Sequence, residues 1–307
     1  MRLGYACINM ELQASKPKIT CNRGMIRRTF LAKGLPYASE LALQNVKDLS
    51  EIIRWNHAHD VEVFRMTSCL FPWASEYQLE QLPDYEEICK ALKVAGDLAK
   101  KFGQRLSFHP GPFNVLSSPR EHVVNNCIKD LEHHGEVMDL LGMPRSRWAK
   151  INIHVGASYG DKETALDRWC RNYERLSDTV TTRLTLENDD KASMYSVVDL
   201  AGVPYERHGI PIVFDFHHHR FCDGGLSEAD ALQLAACTWP AGVRPTCHYS
   251  DSKRIEYNDD TIRPQAHSDY IFNRIDSHGL DLDIVLEAKA KERALMRYRG
   301  EYLATRT

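Results

Sequence analysis

Val213-Phe214-Asp215-Phe216-His217-His218-His219 is an apolar run that opens into one carboxylate and three imidazoles. Residues 210–214 predict a buried strand, because a short apolar run bounded by turn residues is typical of a strand covered on both faces. Asp offers a hard oxygen and neutral His a borderline nitrogen, which together suit manganese, iron or zinc. In an extended chain alternate side chains face opposite sides, so we expect one or two of the three histidines in a site and the others in support. A solvated histidine run at the start of a loop is the alternative.

Five other apolar segments also end on a side chain that can bind a metal. These endings are His109, His154, Glu187, His248 and Glu287. A single buried histidine is usually a core residue whose hydrogen bonds are satisfied. Six strand endings of one kind are poorly explained by coincidence, so together they predict a shared metal site.

The chain alternates predicted strands with predicted helices from end to end. The strands are 2–7, 61–66, 105–109, 151–154, 183–187, 210–214, 245–248 and 284–287, and the helices are 37–59, 84–102, 119–141, 166–176, 195–201, 227–237, 267–278 and 291–303. This order indicates an α/β fold, the (β/α)8 TIM barrel, whose active site lies at the carboxyl ends of the strands. No linker or repeat interrupts residues 1–307, so a single domain is expected.

Composition limits the partners and the compartment. The formal net charge of −3 gives no global sign of a polyanionic partner, although bound divalent cations would add positive charge locally. Nine scattered cysteines without a C-x-x-C pair suit reduced thiols. Without a signal-peptide pattern or an apolar run that could span a bilayer, we expect no membrane partner and, in a prokaryote, a cytoplasmic protein. His133 and His134 are expected on a helix surface.

Several motifs, taken in order, resemble the UV damage endonuclease family. They are His109-Pro110-Gly111, His154-Val155-Gly156, Leu186-Glu187-Asn188-Asp189, Asp215-Phe216-His217-His218-His219 and Glu287-Ala288-Lys289-Ala290-Lys291-Glu292. The resemblance runs from Arg2-Leu3-Gly4-Tyr5 to Arg263-Pro264-Gln265-Ala266-His267 and so covers nearly the whole chain. Each motif is short, and it is their joint order that is specific.

The resemblance implies a DNA repair endonuclease that nicks the phosphodiester on the 5′ side of cyclobutane pyrimidine dimers and 6-4 photoproducts. It implies UV-damaged double-stranded DNA as the partner, with no protein partner evident, and a cluster of two or three divalent ions, usually manganese. Its ligands carry over to His109, His154, Glu187, Asp215, His218, His248 and Glu287. Glu187 and Glu287, with two oxygens each, are expected to bridge ions, and they join His109 and Asp215 as the catalytic candidates.

The family's DNA contacts carry over to two places. Tyr5 and Asn9 match positions that approach the damaged bases, while Pro112 and Phe113 replace a Gln-Tyr pair that wedges into the duplex. Tyr5 and Phe113 would then wall a pocket for flipped bases, and core packing is the alternative for both rings.

Two departures from the family pattern concern the metal site. Cys69 stands where some relatives have a metal-ligating histidine, so a third metal would be held differently or more weakly. Thr246 stands where some have a modified lysine, and that bridge is therefore expected to be absent.

Two other functions fit a barrel with these strand endings. A metal-dependent sugar isomerase would need a closed pocket with a catalytic lysine or a proton-shuttling histidine. A metal-storage or scaffold barrel would need a buried and saturated site. The loop Pro110-Gly111-Pro112-Phe113 beside His109 favours an accessible mouth, which agrees better with an endonuclease.

Overall fold

Eight parallel strands form the inner layer of the protein, for which a computed structural model describes residues 1–303. The strands are β1 Arg2–Cys7, β2 Val63–Met66, β3 Arg105–Ser107, β4 Ile151–Ile153, β5 Leu184–Glu187, β6 Ile212–Asp215, β7 Thr246–Tyr249 and β8 Asp283–Leu286. Neighbours pair in the order β3-β2-β1-β8-β7-β6-β5-β4, and a parallel bridge between Phe108 and Ile151 brings β3 to β4. The predicted (β/α)8 barrel is therefore confirmed.

Helices surround the barrel and connect successive strands. They are α1 Met10–Ala14, α2 Arg27–Ala58, α3 Tyr85–Lys101, α4 Glu121–Leu140, α5 Lys162–Tyr173, α6 Asp178–Thr181, α7 Val197–Ala201, α8 Val203–His208, α9 Phe216–His219, α10 Glu228–Cys237, α11 Lys253–Tyr257 and α12 Glu292–Tyr298. Short 3-10 turns lie at Ala74–Glu76, Leu79–Gln81 and Arg147–Ala149, and a π-helical turn at Arg299–Leu303. None of the helices in residues 1–303 is both long and apolar enough to cross a bilayer.

The apolar core has two parts. The larger part fills the space between the outer face of the sheet and the helices, as on α3, where Ile88, Leu92 and Ala95 are fully buried. The smaller part lies inside the barrel, where Ala6, Val63 and Val285 pack together. Toward the carboxyl ends of the strands the inward-facing side chains are polar, so the side chains that can bind a metal lie at that end of the barrel.

Two predicted helices differ from the structure. Helix α2 begins at Arg27 instead of residue 37, and it kinks at Gly34, whose φ of 64° lies in the left-handed region. The predicted helix 267–278 is wrong, because the buried carboxylate of Asp251 accepts hydrogen bonds from the backbone N–H groups of Phe272 (2.9 Å) and Asn273 (3.0 Å) and fixes an irregular path.

The surface placement predicted for His134 is also wrong, and His133 is only half-exposed. His134 is buried, its Nδ1 lies 2.7 Å from the carbonyl oxygen of Asp130, and its ring meets Phe108 edge-on. The ring of His133 packs edge-on against Phe71, and burial lowers its pKa to about 3. Both imidazoles therefore belong to the packing between α4 and the barrel.

Candidate metal centre and DNA-binding face

The strand endings meet around one carboxylate, that of Glu187. Its Oε2 lies 3.0 Å from His109 Nε2 and 2.9 Å from His248 Nδ1, while its Oε1 lies 3.4 Å from His218 Nδ1. Two groups of donor atoms, each within 4.8 Å of one another, share this residue: His109, Glu187, His248 and Glu287 form the first, and His154, Glu187 and His218 form the second. The structure thus brings together six of the predicted ligands, with Glu187 placed between the two groups.

The seventh predicted ligand, Asp215, lies at the edge of the second group. Its Oδ1 accepts a hydrogen bond from the His218 backbone N–H (2.8 Å), and its Oδ2 lies 4.0 Å from His218 Nδ1. Asp215 is fully buried and ends β6, so its free oxygen faces the cluster from beside His218.

Several donor atoms of the cluster are buried without a partner. Within residues 1–303, Glu187 Oε1, Asp215 Oδ2 and His248 Nδ1 make no hydrogen bond of good geometry. A buried polar atom without a partner costs free energy, and carboxylate oxygens and imidazole nitrogens are common ligands of divalent transition metals. These residues fit a divalent cation, which would use the lone pairs that the protein leaves free.

Electrostatics at the cluster favour the charged form of Glu187 and of two of the histidines. Burial opposes ionisation of Glu187, but the charges of His248, His154 and His109 hold its pKa well below the ordinary value. Burial likewise opposes charge on His154 and His218, yet the neighbouring carboxylates raise their pKa values to about 10 and about 9. Burial lowers the pKa of His109 to about 4. Protons on two imidazoles therefore balance the carboxylates when no metal ion is bound.

The three histidines after Asp215 lie on a helical turn and not on an extended chain, so the expected alternation of faces is wrong. The Asp215 side chain caps this turn, α9, at its N-terminus. On a helix successive side chains point about 100° apart, so only His218 reaches the cluster. His217 and His219 are buried beside it, and the split into one ligand and two supporting residues agrees with the placement predicted for His218.

Residues outside the predicted set also hold the cluster. Arg65 donates a hydrogen bond to Glu287, Asn152 donates one to Glu187, and Asp189 Oδ1 lies 3.2 Å from His154 Nδ1. Arg65 and Asn152 each lie one residue before the end of their strands, and a strand pattern alone does not distinguish them from packing residues. These three side chains orient the ligands.

His267 is a further residue that sequence reasoning missed. Its Nδ1 lies 3.7 Å from Glu287 Oε2, and its ring lies 6.0 Å from that of His218, centre to centre. The motif Arg263-Pro264-Gln265-Ala266-His267 was the available signal, but the expected helix start at 267 hid it. Cys69, where a third-metal ligand was considered, is exposed and lies outside both donor groups.

The loop after β3 presents the predicted wedge to solvent. Phe113 is 88% exposed, and Pro112 beside it is exposed too. A cavity of about 410 Å³ separates this loop from the cluster, and its lining includes Pro112, His154 and His218. Gly156 lets the β3 and β4 loops meet, because a Cβ there would lie 2.5 Å from Val115 Cγ1. An exposed aromatic ring therefore stands beside the candidate metal centre.

Tyr5 and Asn9 do not offer surface to a base, which contradicts their predicted contact with the lesion. Tyr5 is fully buried, and its hydroxyl donates to Asn56 Oδ1 (2.7 Å) and accepts from Asn9 Nδ2 (3.1 Å). Asn9 is equally enclosed, and its Oδ1 caps α1 by accepting from the Leu12 backbone N–H (2.9 Å). For Tyr5 the core-packing alternative is therefore correct.

Comparison with known proteins identifies the family. The family model described as UV-endonuclease UvdE matches residues 1–305. The chain belongs to the UvdE family. It is 34% identical to the UV DNA damage endonuclease of Bacillus pumilus, with 99% of this chain and 95% of that protein covered. It is 36% identical to the UV-damage endonuclease of Schizosaccharomyces pombe, where 96% of this chain covers 49% of the relative, so it spans about half the length of that fungal protein.

Solved structures agree with this membership. The crystal structure of SacUVDE superposes with a TM-score of 0.82 at 31% identity and 98% coverage of both chains. Endonuclease IV from Thermus thermophilus superposes with a TM-score of 0.58 at 13% identity, over 98% of each chain. A D-psicose 3-epimerase, also 13% identical, shares the barrel with a TM-score of 0.51 over 78% of each chain. At such low identity the last two show the fold alone, and the sugar isomerase alternative is not favoured.

Proposed function

We propose that this UvdE-family protein is a metal-dependent endonuclease that nicks double-stranded DNA immediately 5′ of UV photoproducts. The observation that carries the proposal is the convergence of two donor groups on Glu187 at the open end of the barrel. Membership in a family whose curated relatives are named UV-damage endonucleases supports this reaction and this substrate.

The residues that would hold the metal ions divide between the two donor groups. His109, His248 and Glu287 would bind one ion, His154 and His218 a second, and Glu187 has an oxygen for each. Asp215, Glu287 and His267 would supply the donors if a third ion binds. We propose manganese, because the mixture of carboxylate and imidazole donors suits a borderline first-row divalent ion.

A divalent cation supplies Lewis-acid stabilisation of the phosphate and of the leaving 3′ oxygen, and lowers the pKa of water toward neutrality. The protein's own residues set up that chemistry. Asn152 and Arg65 hold the carboxylates of Glu187 and Glu287 in place, and Asp189 orients His154. Hydrolysis of the phosphodiester would leave a 3′-hydroxyl and a 5′-phosphate.

Lesion recognition would depend on the ease of deforming the duplex. Damaged dinucleotides stack and pair poorly, so extruding them costs less than extruding normal bases. The exposed ring of Phe113 can stack where the bases have left, and Pro112 restricts the backbone that presents it. In a prokaryote such an enzyme would work in the cytoplasm, on nucleoid DNA.

A nicking assay on an end-labelled duplex with one defined cyclobutane dimer tests the proposal, with the undamaged duplex as the control. We expect one cut on the damaged strand, at the phosphodiester 5′ of the dimer, in the presence of manganese. Equal cutting of both duplexes would overturn the lesion specificity, and no cutting with any divalent ion would overturn the activity.

A further inference from the structure

Two non-glycine residues with positive φ follow the carboxyl ends of neighbouring strands of the barrel, β1 and β8. Cys7 ends β1 with φ 74°, and Lys291 precedes α12 with φ 54°. Strands β1 and β8 are neighbours, and Lys291 follows the ligand Glu287 by four residues. A residue with a Cβ pays strain in this region, and such strain persists where the surrounding structure imposes it, often at functional sites.

Lys291 lies in the loop at the carboxyl end of β8, between the candidate ligand Glu287 and α12. Lys291 is partly buried, and the charges of Arg65 and Glu287 act on its amine. Burial lowers its pKa from the ordinary lysine value. An ammonium held in this position loses part of its hydration, and pairing with an anion would offset that loss.

The protein itself provides no such anion within the described part of the chain. The carboxylate of the ligand Glu287 is bound by the Arg65 guanidinium. Within residues 1–303, the Lys291 amine makes no hydrogen bond and no ion pair, whereas Arg65 and Lys253 near the barrel mouth each pair with a carboxylate. Lys291 is thus an unpaired cation beside a centre that we propose handles a polyanion.

We propose that Lys291 binds a phosphate of the DNA strand that lies at the metal centre. The inference rests on the proposed function, because it takes DNA as the ligand. An ammonium is a compact point charge with three donors and suits a phosphate oxygen. Arg65 is committed to Glu287, and so Lys291 remains free to meet the backbone of the strand at this side of the mouth.

Lys289 provides a matched control. It carries the same charge two residues earlier in the same loop, but it is exposed. Lys291→Met and Lys289→Met therefore change the net charge equally. Lys291→Arg keeps the charge, and Lys291→Gly relieves the backbone strain without the amine, which separates the role of the charge from that of the loop shape.

The test is the salt dependence of binding to an undamaged duplex by the manganese-loaded protein, with wild-type nicking of a dimer-containing duplex measured in parallel. One lost phosphate contact should flatten the slope of log affinity against log salt by about 0.9. We expect this change for Lys291→Met and Lys291→Gly, with about tenfold weaker binding at low salt. Lys291→Arg should recover most of the slope, and Lys289→Met should change it by less than half as much.

Equal slopes for wild type and Lys291→Met, or the same loss for Lys289→Met, would overturn the inference. Recovery of the wild-type slope by Lys291→Gly would show that only the loop shape matters and would overturn it as well. Failure of the proposed function has a different signature, since wild-type protein would then leave the dimer-containing duplex intact whatever the slopes are.

Discussion

Both ends of the barrel bury charged side chains, but the two ends differ in how completely those side chains are paired. At the amino end Arg105 is fully buried and donates to Asp283 (2.8 Å) and to the carbonyl oxygens of Trp148 (2.8 Å) and Arg244 (2.7 Å). Asp283 in turn accepts two hydrogen bonds from Arg2, at 2.7 and 2.8 Å. Arg2, Arg105 and Asp283 thus each have a charged partner from the protein.

At the carboxyl end the carboxylates and imidazoles lie close together, but some of their buried polar atoms have no hydrogen-bond partner. Glu187 has three imidazole nitrogens within 3.4 Å, yet its Oε1 makes no hydrogen bond within residues 1–303. A saturated ion network needs nothing further, whereas buried donor atoms with free lone pairs are a costly arrangement that a bound cation would relieve. The structural network and the candidate functional cluster therefore differ less in how many charges they bury than in whether the protein supplies a partner for each buried atom.

The largest effect is expected at the unsatisfied end. Glu187→Gln keeps the shape but removes the charge shared by both donor groups, so kcat/KM for nicking should fall by at least about a thousandfold, or roughly 4 kcal/mol of transition-state stabilisation. Manganese content should fall in parallel, while far-UV circular dichroism stays that of the wild type. Near-normal nicking by this variant would defeat the central place given to Glu187.

The matched change at the satisfied end should affect stability instead of activity. Asp283→Ala leaves Arg105 buried and unpaired, which costs about 3–5 kcal/mol of unfolding free energy. Urea unfolding measures this loss, and nicking per folded molecule should stay close to wild type. If Asp283→Ala instead lowered metal content without lowering stability, the proposed division between the two ends would be wrong.

Removing the wedge ring should have a smaller effect, confined to damaged DNA. Phe113 is 88% exposed, so Phe113→Ala leaves the core intact. A ring stacked on a base contributes roughly 1–3 kcal/mol, and binding to a dimer-containing duplex should weaken about 5- to 150-fold. Binding to undamaged duplex, which depends on phosphate contacts, serves as the control at one fixed salt concentration. An equal loss on both duplexes would remove the wedge assignment.

The last effect concerns the metal-free protein and is a change in the pH dependence of its stability. The pKa values of His154 and His218 are raised to about 10 and about 9, so their contribution to the metal-free protein is complete below about pH 6.5 and is lost as pH rises through 9 and 10. The Tm of metal-free protein should therefore fall over that range.

Saturating manganese should reverse the trend, because binding displaces these protons and so strengthens as pH rises. Calorimetry in buffers of different ionisation enthalpy should show proton release on metal binding near neutral pH. Release of no protons would mean that the two imidazoles are already neutral and that the charge balance described for the cluster is wrong.

Much of the fold and of the ligand set could be predicted from the sequence, because both follow from short-range pattern. Where a strand ends on His109 or Glu187, the position of that side chain follows from the fold, because the parallel strands of a barrel bring their carboxyl ends together. The helical turn at His217 could not be predicted in this way, because it depends on the Asp215 side chain capping a turn that an extended reading does not contain.

Long-range packing decided the remaining cases. Tyr5 is buried because Asn56 and Trp55 of α2, some fifty residues away in the sequence, cover its hydroxyl and its ring. His267 approaches Glu287 only because Asp251 holds the neighbouring segment in an irregular path. The burial of Tyr5 has no local sequence signal, and for His267 the only signal is the family motif that ends on it.

The most direct test of the account combines metal content with nicking in one titration. Protein stripped with a chelator is given manganese in increments, and bound ions per chain and cutting of the single-dimer duplex are measured at each step, with Asp283→Ala as the control for loss of structure. We expect no nicking by the stripped protein and full recovery once both donor groups on Glu187 are filled, at about two ions per chain. Full nicking by wild-type protein that retains no metal would contradict this expectation.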